Sequence, residues 1–185
     1  MDYSKIPFAA VGDKDTLRGV LHHRLRITKE FMGDDVKASN TIMDIGSDNL
    51  FARSLGIHEH PYETDYNVTI LSPSGKKYDV VTCFEILEHL MNPLGLMQSI
   101  HKMLKRGGVC YLSTPKAAII NWYCGPKHFA EYKRDRLETM FKYVGFEVVK
   151  YRTLALHDWW TIFTGFRPPL RYVLQRSHLW KLTSR

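Results

Sequence analysis

A strand–helix–strand pattern in the middle of the chain constrains the fold more than any other feature. The run "YDVVTCF" (78–84) is rich in apolar, β-branched and aromatic residues, which favours a buried strand. Asn92-Pro93 then predicts a helix start, with asparagine as the cap and proline at the first helical position. Gly107-Gly108 are predicted to end this helix, and "VCYLSTP" (109–115) is predicted as the next strand. Such a unit is typical of a sheet with parallel strands.

The same alternation continues on both sides of this unit. Pro61 places one predicted strand at a sheet edge, since proline cannot donate to a central ladder. The sequence therefore predicts an α/β fold, in which a mostly parallel sheet carries helices on both faces. Helices are predicted over 14–35, 47–56 and 133–145, strands over 40–46, 59–65 and 146–156, and a weak strand with a turn over 67–77.

The length of the chain, 185 residues, fits a single domain with a substantial core. Its predicted parts are an N-terminal helix (15–32), a core (41–155) and a basic aromatic C-terminal segment (156–185). No apolar run approaches the ~20 residues that a membrane span needs, and the N-terminus lacks the pattern of a secretory signal. The three cysteines are odd in number and widely spaced, as expected in a reducing compartment. We expect a cytoplasmic protein, with peripheral contact to a membrane as one option.

Three predicted strands end in residues suited to ligand binding. These ends are Asp44-Ile45-Gly46-Ser47, Thr64-Asp65 and Phe84-Glu85. In parallel α/β sheets ligands bind beyond the carboxyl ends of the strands. We therefore expect the three ends to converge on one crevice.

The stretch "FEILEHL" (84–90) places two carboxylates and an imidazole directly after a buried strand. Glu85, Glu88 and His89 are related by i, i+3 and i+4, so one helical turn would put all three side chains on the same face. Lone charges beside a core are costly unless they have a partner. The three residues therefore either bond the exposed backbone around the loop or line a site.

Three blocks of the sequence carry a family resemblance within residues 41–150. They are "MDIGS", the run from "YDVVTCFEILEHLMNP" to "YLSTP", and "HFAEYKRDRLETMFKYVGFEVV". These blocks resemble the class I S-adenosylmethionine-dependent methyltransferases, in particular the ubiquinone-pathway O-methyltransferases. The resemblance implies a Rossmann-like fold. Two features depart from the family: Gly46 is the one glycine kept of the usual three, and only 35 residues separate Asp44 from Asp79, so one strand–helix unit is shortened.

The resemblance also implies a set of cofactor-binding residues. Gly46 would let the backbone approach the methionine part of S-adenosylmethionine without a Cβ clash. Asp65 lies 21 residues after Asp44, close to the ~20-residue interval at which a carboxylate binds ribose hydroxyls, and Glu63 is the alternative. A Rossmann oxidoreductase is disfavoured, because Asp48 would repel a diphosphate but suits a positive sulfonium. The full implied set is Asp44, Gly46, Ser47, Asp65, Cys83 and Phe84.

The acceptor is expected beside Glu85 and His89, which the resemblance implies as catalytic residues. Two mechanisms remain open. His89 could act as a general base without metal, because its ordinary pKa of about 6.5 is close to working pH. Alternatively, Glu85, Glu88, His89 and His128 could hold a divalent ion such as Mg²⁺, Mn²⁺ or Co²⁺. Small-RNA 2′-O-methyltransferases and some ubiquinone-pathway enzymes are similar here, with a Glu-x-x-Glu-His and a later histidine that bind metal.

Most of the net positive charge lies near the C-terminus. The chain carries +7 overall, and residues 150–185 contain seven Lys/Arg against Asp158, which gives +6. Three interpretations are open: a C-terminal helix packed over the sheet, binding to an acidic membrane surface, or binding to RNA. The aromatic and basic residues that interleave there are Trp159, Trp160, Phe163, Phe166, Tyr172 and Trp180 with Arg167, Arg171, Arg176 and Lys181.

The resemblance thus implies methyl transfer from S-adenosylmethionine to an oxygen of a small or lipid-linked molecule. One alternative is an RNA 2′-O-methyltransferase. Another is a degenerate cofactor-binding or scaffolding subunit without turnover. The residues themselves do not name the acceptor.

Overall fold

A computed structural model describes residues 14–37, 40–46, 50–57, 59–61, 75–117, 128–155 and 176–184. Its helices are α1 (Lys14–Met32), α2 (Leu50–Ser54), α3 (Pro93–Met103) and α4 (Arg134–Val144), with short 3-10 turns at Gly33–Asp35 and Leu87–His89. Its strands are β1 (Ile42–Asp44), β2 (Tyr78–Phe84), β3 (Leu104–Pro115), β4 (Phe146–Ala155) and β5 (Arg176–Ser184). None of these helices is long and apolar enough to cross a membrane.

The described strands form one sheet in the order β1-β2-β3-β5-β4. β1, β2 and β3 pair in parallel, whereas β5 is antiparallel to both of its neighbours, β3 and β4. Four of the five strands described here therefore run in the same direction, and the predicted mostly parallel α/β fold is confirmed. The register pairs Asp44 with Thr82, Phe84 with Ser113, and Pro115 with Ser177. One end of the sheet consequently holds the carboxyl ends of β1, β2 and β3 together with the start of β5, and this end is called the shared sheet edge.

Helices cover both faces of the sheet, as the sequence predicts. On one face Phe31 and Met32 of α1 pack against Val80, Tyr111 and Leu179. The other face is covered by α3 and α4, because alternate residues of each strand point in opposite directions. The core on that second face includes Leu96, Ile100, Leu137 and Phe141 from the helices and Val81, Cys110, Trp180 and Leu182 from the strands.

Helix α3 begins where the sequence predicts and ends earlier. The Asn92 side chain accepts a hydrogen bond from the Gly95 amide at 3.0 Å, and Pro93 follows as the first helical residue. The predicted end at Gly107-Gly108 is wrong, because the helix stops at Met103 and Leu104 already pairs with β2. Gly107 lies inside β3 at φ 74°, where the register with β2 shifts. These glycines therefore form a strand irregularity and do not end a helix.

The end of the chain forms a strand, and the interpretation of a C-terminal helix is wrong for Arg176–Ser184. This segment lies between β3 and β4, so both of its edges are paired. Its apolar side chains enter the cores on both faces of the sheet, Leu179 on one face and Trp180 and Leu182 on the other. Trp180 is fully buried, with its ring centroid 5.3 Å from that of Phe141 and 4.3 Å from that of Tyr151. It therefore has no free face for a nucleic-acid base or a lipid headgroup. The rest of the aromatic segment, residues 156–175, lies outside the described residues.

The predicted edge strand 59–65 is described only over residues 59–61, which have no strand assignment. The Asp44 amide nevertheless donates to the Glu59 carbonyl at 2.9 Å, so this short segment runs beside β1 at the edge of the sheet. The weak strand and turn predicted over 67–77 falls almost entirely outside the described residues.

Candidate functional site

Polar residues from four strands lie at the shared sheet edge. Asp44 ends β1, Glu85 follows β2, Thr114 lies at the end of β3, and Ser177 lies at the start of β5. The loop after β1 is tied to β2, because the Ile45 amide donates to the Thr82 carbonyl at 2.7 Å. The convergence that the sequence predicts at strand ends is therefore present for β1 and β2. Asp65, its alternative Glu63, and Ser47 lie outside the described residues.

Asp44 is a buried carboxylate with two neighbours. Only 5% of the residue is exposed, and the Thr82 hydroxyl donates to its Oδ1 at 2.5 Å. His60 lies on the other side, with Nδ1 at 3.6 Å from Oδ2 of Asp44. Burial raises the pKa of Asp44 to about 6, although Thr82 and His60 both act to lower it. Both ring nitrogens of His60 are buried without a hydrogen-bond partner in the described structure.

Gly46 lies against the same carboxylate. A Cβ at this position would come within 3.0 Å of Oδ2 of Asp44, which is tighter than ordinary van der Waals contact. A larger residue here would therefore require the Asp44 carboxylate to shift by a few tenths of an ångström. Cys83 and Phe84 have buried side chains in the two cores, so only their backbone is available to a ligand.

Glu85 holds three elements together. Its carboxylate lies 3.2 Å from the Arg24 guanidinium of α1 and accepts hydrogen bonds from the hydroxyls of Ser113 at 2.8 Å and Ser177 at 3.4 Å. The Glu85 backbone has φ 56°, a left-handed conformation that is uncommon outside glycine. Its amide also donates to the Ser113 carbonyl at 2.9 Å. These contacts fix Glu85 in that conformation.

The backbone of Glu85 explains why the expected helical face does not form. The i, i+3, i+4 argument assumes an α-helical turn that begins at this residue. The chain instead passes through the left-handed region and then makes a short 3-10 turn over Leu87–His89. Glu85 is consequently directed to Arg24, while Glu88 and His89 remain together.

Glu88 is a nearly inaccessible carboxylate, with 1% of the residue exposed. The Thr114 hydroxyl donates to its Oε2 at 3.0 Å, and His89 Nε2 lies 3.8 Å from its Oε1. Burial raises the pKa of Glu88 well above its usual range, and the charge of Glu85 raises it further. A cation beside Glu88 would offset this cost.

A second segment, residues 128–132, folds back onto the 3-10 turn. The amides of Phe129 and Ala130 donate to the Glu88 carbonyl at 2.7 and 3.3 Å. The Tyr132 hydroxyl donates to the Leu87 carbonyl at 3.3 Å. These bonds bring two parts of the chain that are distant in sequence into direct contact.

This return places His128 against His89. The two ring centroids are 4.9 Å apart, and the rings are nearly perpendicular at 77°. Glu88, His89 and His128 each offer a ligand atom, and these atoms lie within 4.8 Å of one another. Three of the four residues predicted to bind metal therefore form one group, and Glu85 is not part of it. His128 Nδ1 also lies 3.5 Å from Oε1 of Glu131.

Several residues of the site were missed from the sequence, among them Thr114, Glu131 and Arg24. Thr114 could have been noticed, because it lies in a strand end that meets the Glu88 turn. Glu131 follows His128 at helical spacing, which is a weak signal. Arg24 gave no signal, since an arginine on a predicted amphipathic helix is most often a surface residue.

Comparisons with known proteins agree with this architecture. A family model described as "Methyltransferase domain" matches residues 20–151. A ubiquinone biosynthesis O-methyltransferase from Psychrobacter cryohalolentis is 34% identical over 83 residues, which is 42% of this chain and 32% of the relative. The match thus spans about a third of the length of that relative.

Solved structures show the same fold at low sequence identity. A methyltransferase from Thermotoga maritima matches with a TM-score of 0.63 and 12% identity, over 91% of each chain. An O-methyltransferase from Brevibacillus brevis, in complex with S-adenosylhomocysteine, matches with a TM-score of 0.55 and 14% identity, over 91% of this chain and 71% of that one. Since the family match covers more than half of the sequence, the chain belongs to the methyltransferase domain family and has the fold of class I S-adenosylmethionine-dependent methyltransferases.

Proposed function

We propose that this protein transfers a methyl group from S-adenosylmethionine to an oxygen of a small or lipid-linked acceptor, at a divalent metal site. The observation that carries the proposal is the Glu88, His89 and His128 group at the edge where the parallel strands end. The name of the curated relative, a ubiquinone biosynthesis O-methyltransferase, supports an oxygen acceptor.

The residues around Asp44 fit the cofactor. S-adenosylmethionine carries a positive sulfonium and an amino group, which suit a buried carboxylate that is costly to ionise without a cation nearby. The ring nitrogens of His60 make no hydrogen bond within the described residues, which also favours a polar ligand beside Asp44. Asp44, Gly46 and the backbone of Cys83 and Phe84 would hold the methionine part, and Ser47 with Asp65 or Glu63 would complete the site.

The residues around Glu88 fit a divalent ion. One carboxylate and two imidazoles give a mixed oxygen and nitrogen donor set that leaves coordination positions open for an acceptor. Imidazole ligands favour Mn²⁺ or Co²⁺ over Mg²⁺. An ion would also compensate the charge of Glu88, because burial raises the pKa of this carboxyl well above its usual range. Glu131 would orient His128 through its Nδ1, leaving the lone pair on Nε2 for the metal.

Each group then has a separate part in the reaction. Bound metal would supply Lewis-acid chemistry that lowers the pKa of the acceptor hydroxyl. Thr114 and Glu131 hold Glu88 and His128 in place. Transfer converts the sulfonium into the neutral thioether of S-adenosylhomocysteine, while the O–H bond of the acceptor breaks and its proton passes to solvent water. In the metal-free version of the mechanism, His89 takes that proton itself.

Chelation tests the proposal. Labelled S-adenosylmethionine is incubated with hydroxyl-bearing acceptors of both classes, small phenols and lipid-linked phenols. We expect EDTA to suppress methyl transfer, Mn²⁺, Co²⁺ or Mg²⁺ to restore it, and His128→Ala to lose both the metal response and most of the rate. If EDTA has no effect and His89→Ala alone abolishes transfer, the metal-free base is correct. If neither S-adenosylmethionine nor S-adenosylhomocysteine binds at millimolar concentration, the enzyme proposal fails and a non-catalytic subunit is favoured.

Binding to RNA or to an acidic membrane through the C-terminal basic segment stays a prediction. RNA binding driven by lysines and arginines should weaken steeply as salt is raised, because phosphate contacts release counterions. Affinity that is flat across salt concentration would contradict it. Vesicles of acidic and neutral lipids test the membrane alternative in the same way.

A further inference from the structure

The last strand of the chain reaches the site although it lies beyond the matched residues 20–151. His178, near the start of β5, is fully buried. Its Nε2 lies 3.0 Å from the Tyr132 carbonyl oxygen, and its Nδ1 lies 2.9 Å from the Tyr151 hydroxyl. Both ring nitrogens therefore have partners inside the protein.

The chemistry of these partners fixes the tautomer of His178. A carbonyl can only accept, so Nε2 carries the hydrogen and donates it to Tyr132. Burial lowers the pKa of His178, which favours the neutral ring, and Nδ1 then accepts from the Tyr151 hydroxyl. The Thr153 hydroxyl, 3.0 Å from the Tyr151 oxygen, is left to donate to it. Every hydrogen in this chain of bonds has one direction, so the ring has one orientation.

Tyr132 connects the oriented His178 ring to the candidate site. Its carbonyl also accepts from the Ala117 amide at 3.0 Å, and its hydroxyl donates to the Leu87 carbonyl at 3.3 Å. The residue is thus attached to β5, to the end of β3 and to the turn that carries Glu88. The four residues that precede it include His128 and Glu131.

We propose that His178 is a positioning residue, which holds the segment 128–132 against the Glu88–His89 turn through its bond to Tyr132. Ala117 and the segment 128–132 are separated in sequence, and holding two such parts of a chain together costs conformational entropy that bonds between them must offset. The effect on metal binding rests on the proposed function, whereas the anchoring itself does not.

The first test measures hydrogen exchange at the Phe129 and Ala130 amides, which both donate to the Glu88 carbonyl. His178→Phe keeps the ring volume and removes the donor, so these amides should exchange about tenfold faster than in the wild type. His178→Gln keeps an amide donor near the Nε2 position and should restore most of the protection. Trp180→Phe is the matched control, because this buried ring on the same strand packs against the rings of His178 and Tyr151, while its Nε1 makes no hydrogen bond within the described residues. The variant therefore changes the packing around His178 and leaves the bond to Tyr132 in place.

The second readout is Mn²⁺ affinity, followed by electron paramagnetic resonance. His178→Phe should lower it by about 10–100-fold, as removal of a group that orients metal ligands does. His178→Gln and Trp180→Phe should stay close to the wild type, and the affinity for S-adenosylhomocysteine should be unchanged in all three. If the wild type does not bind Mn²⁺, the metal in the proposed function fails, and the exchange measurement still decides the anchoring.

Unchanged exchange at Phe129 and Ala130 in His178→Phe would overturn the proposal, as would equal acceleration in Trp180→Phe. If His178→Phe does not fold, Tyr151→Phe replaces it, since it removes the hydroxyl that orients the ring. That variant should accelerate the two amides about threefold, and wild-type exchange rates there would equally refute the role of His178.

Discussion

Replacing Asp44 with asparagine should make the protein without cofactor more stable. The pKa of Asp44 is raised from 3.8 to about 6, so ionising it in the folded state costs roughly 3 kcal/mol, at about 1.4 kcal/mol per pKa unit. The substituted amide cannot ionise, yet its oxygen can still accept from the Thr82 hydroxyl. The variant therefore avoids the cost and keeps the bond.

The sign of the pH dependence follows from the direction of the shift. Because the folded pKa lies above the unfolded one, the folded protein binds this proton more tightly, and the stabilisation is complete below about pH 4. It is lost as the pH rises through about 6. The free energy of unfolding of Asp44→Asn should thus be close to that of the wild type at about pH 4 and exceed it by up to about 3 kcal/mol at pH 8.

Guanidinium denaturation between pH 4 and 8, without cofactor, measures this difference. Asp79→Asn is the control of opposite sign, since the Thr41 amide and Lys105 lower the pKa of Asp79 to about 2. The ionised Asp79 carboxylate stabilises the folded protein above the pKa that this group has in the unfolded chain, and this stabilisation is lost as the pH falls through about 2. Asp79→Asn should therefore be less stable than the wild type at pH 8. An Asp44→Asn protein that is less stable at pH 8, or a gain that does not grow with pH, would refute the reasoning. Calorimetry should show S-adenosylhomocysteine binding about 10–100-fold weaker to Asp44→Asn, if this carboxylate holds the cofactor.

Three further predictions concern single side chains. Gly46→Val should abolish S-adenosylhomocysteine binding in calorimetry, because even a Cβ lies 3.0 Å from Asp44, and retained affinity in a folded variant would contradict this. Glu88→Gln should remove Mn²⁺ binding by electron paramagnetic resonance, whereas Glu85→Gln, whose carboxylate faces Arg24, should keep it, and equal losses would show that both are ligands. The lowered pKa of His178 should reduce stability as the pH falls below its ordinary 6.5, and His178→Gln should flatten that slope in thermal denaturation.

The sequence predicts those helices and strands whose formation depends on residues close together in the chain. Strand β2 and the start of α3 at Asn92-Pro93 need only a β-rich run, a cap and a proline, and the structure has them where expected. The helix end predicted at Gly107-Gly108 was wrong, because a glycine at positive φ can either end a helix or form a bulge in a strand. Only the pairing with β2 decides between the two. Strand β5 was missed for the same reason, since its partners lie elsewhere in the sequence.

The candidate site shows the same contrast between features that local sequence predicts and features that depend on distant parts of the chain. The sequence predicted that Asp44 ends a strand and that the stretch 84–90 begins at the end of another, and the structure has both there. The separation of Glu85 from Glu88 could not be predicted, because it depends on a left-handed backbone at Glu85 and on an arginine from α1. Tyr132 and His178 were equally hidden, since a hydrogen bond to a backbone carbonyl leaves no residue pattern.

The position of β5 also determines the order in which the sheet can be completed during synthesis. In the described sheet β4 pairs with β5 and does not touch β3, so it has no partner strand until residues 176–184 have left the ribosome. Helix α4 packs on the same late strand through Phe141 and Trp180. The nascent chain therefore carries an unpaired strand and an open β3 edge until residues 176–184 emerge, which exposes it to aggregation. A ribosome-stalled chain that ends before Arg176 should bind chaperones that a chain extended past Ser184 does not.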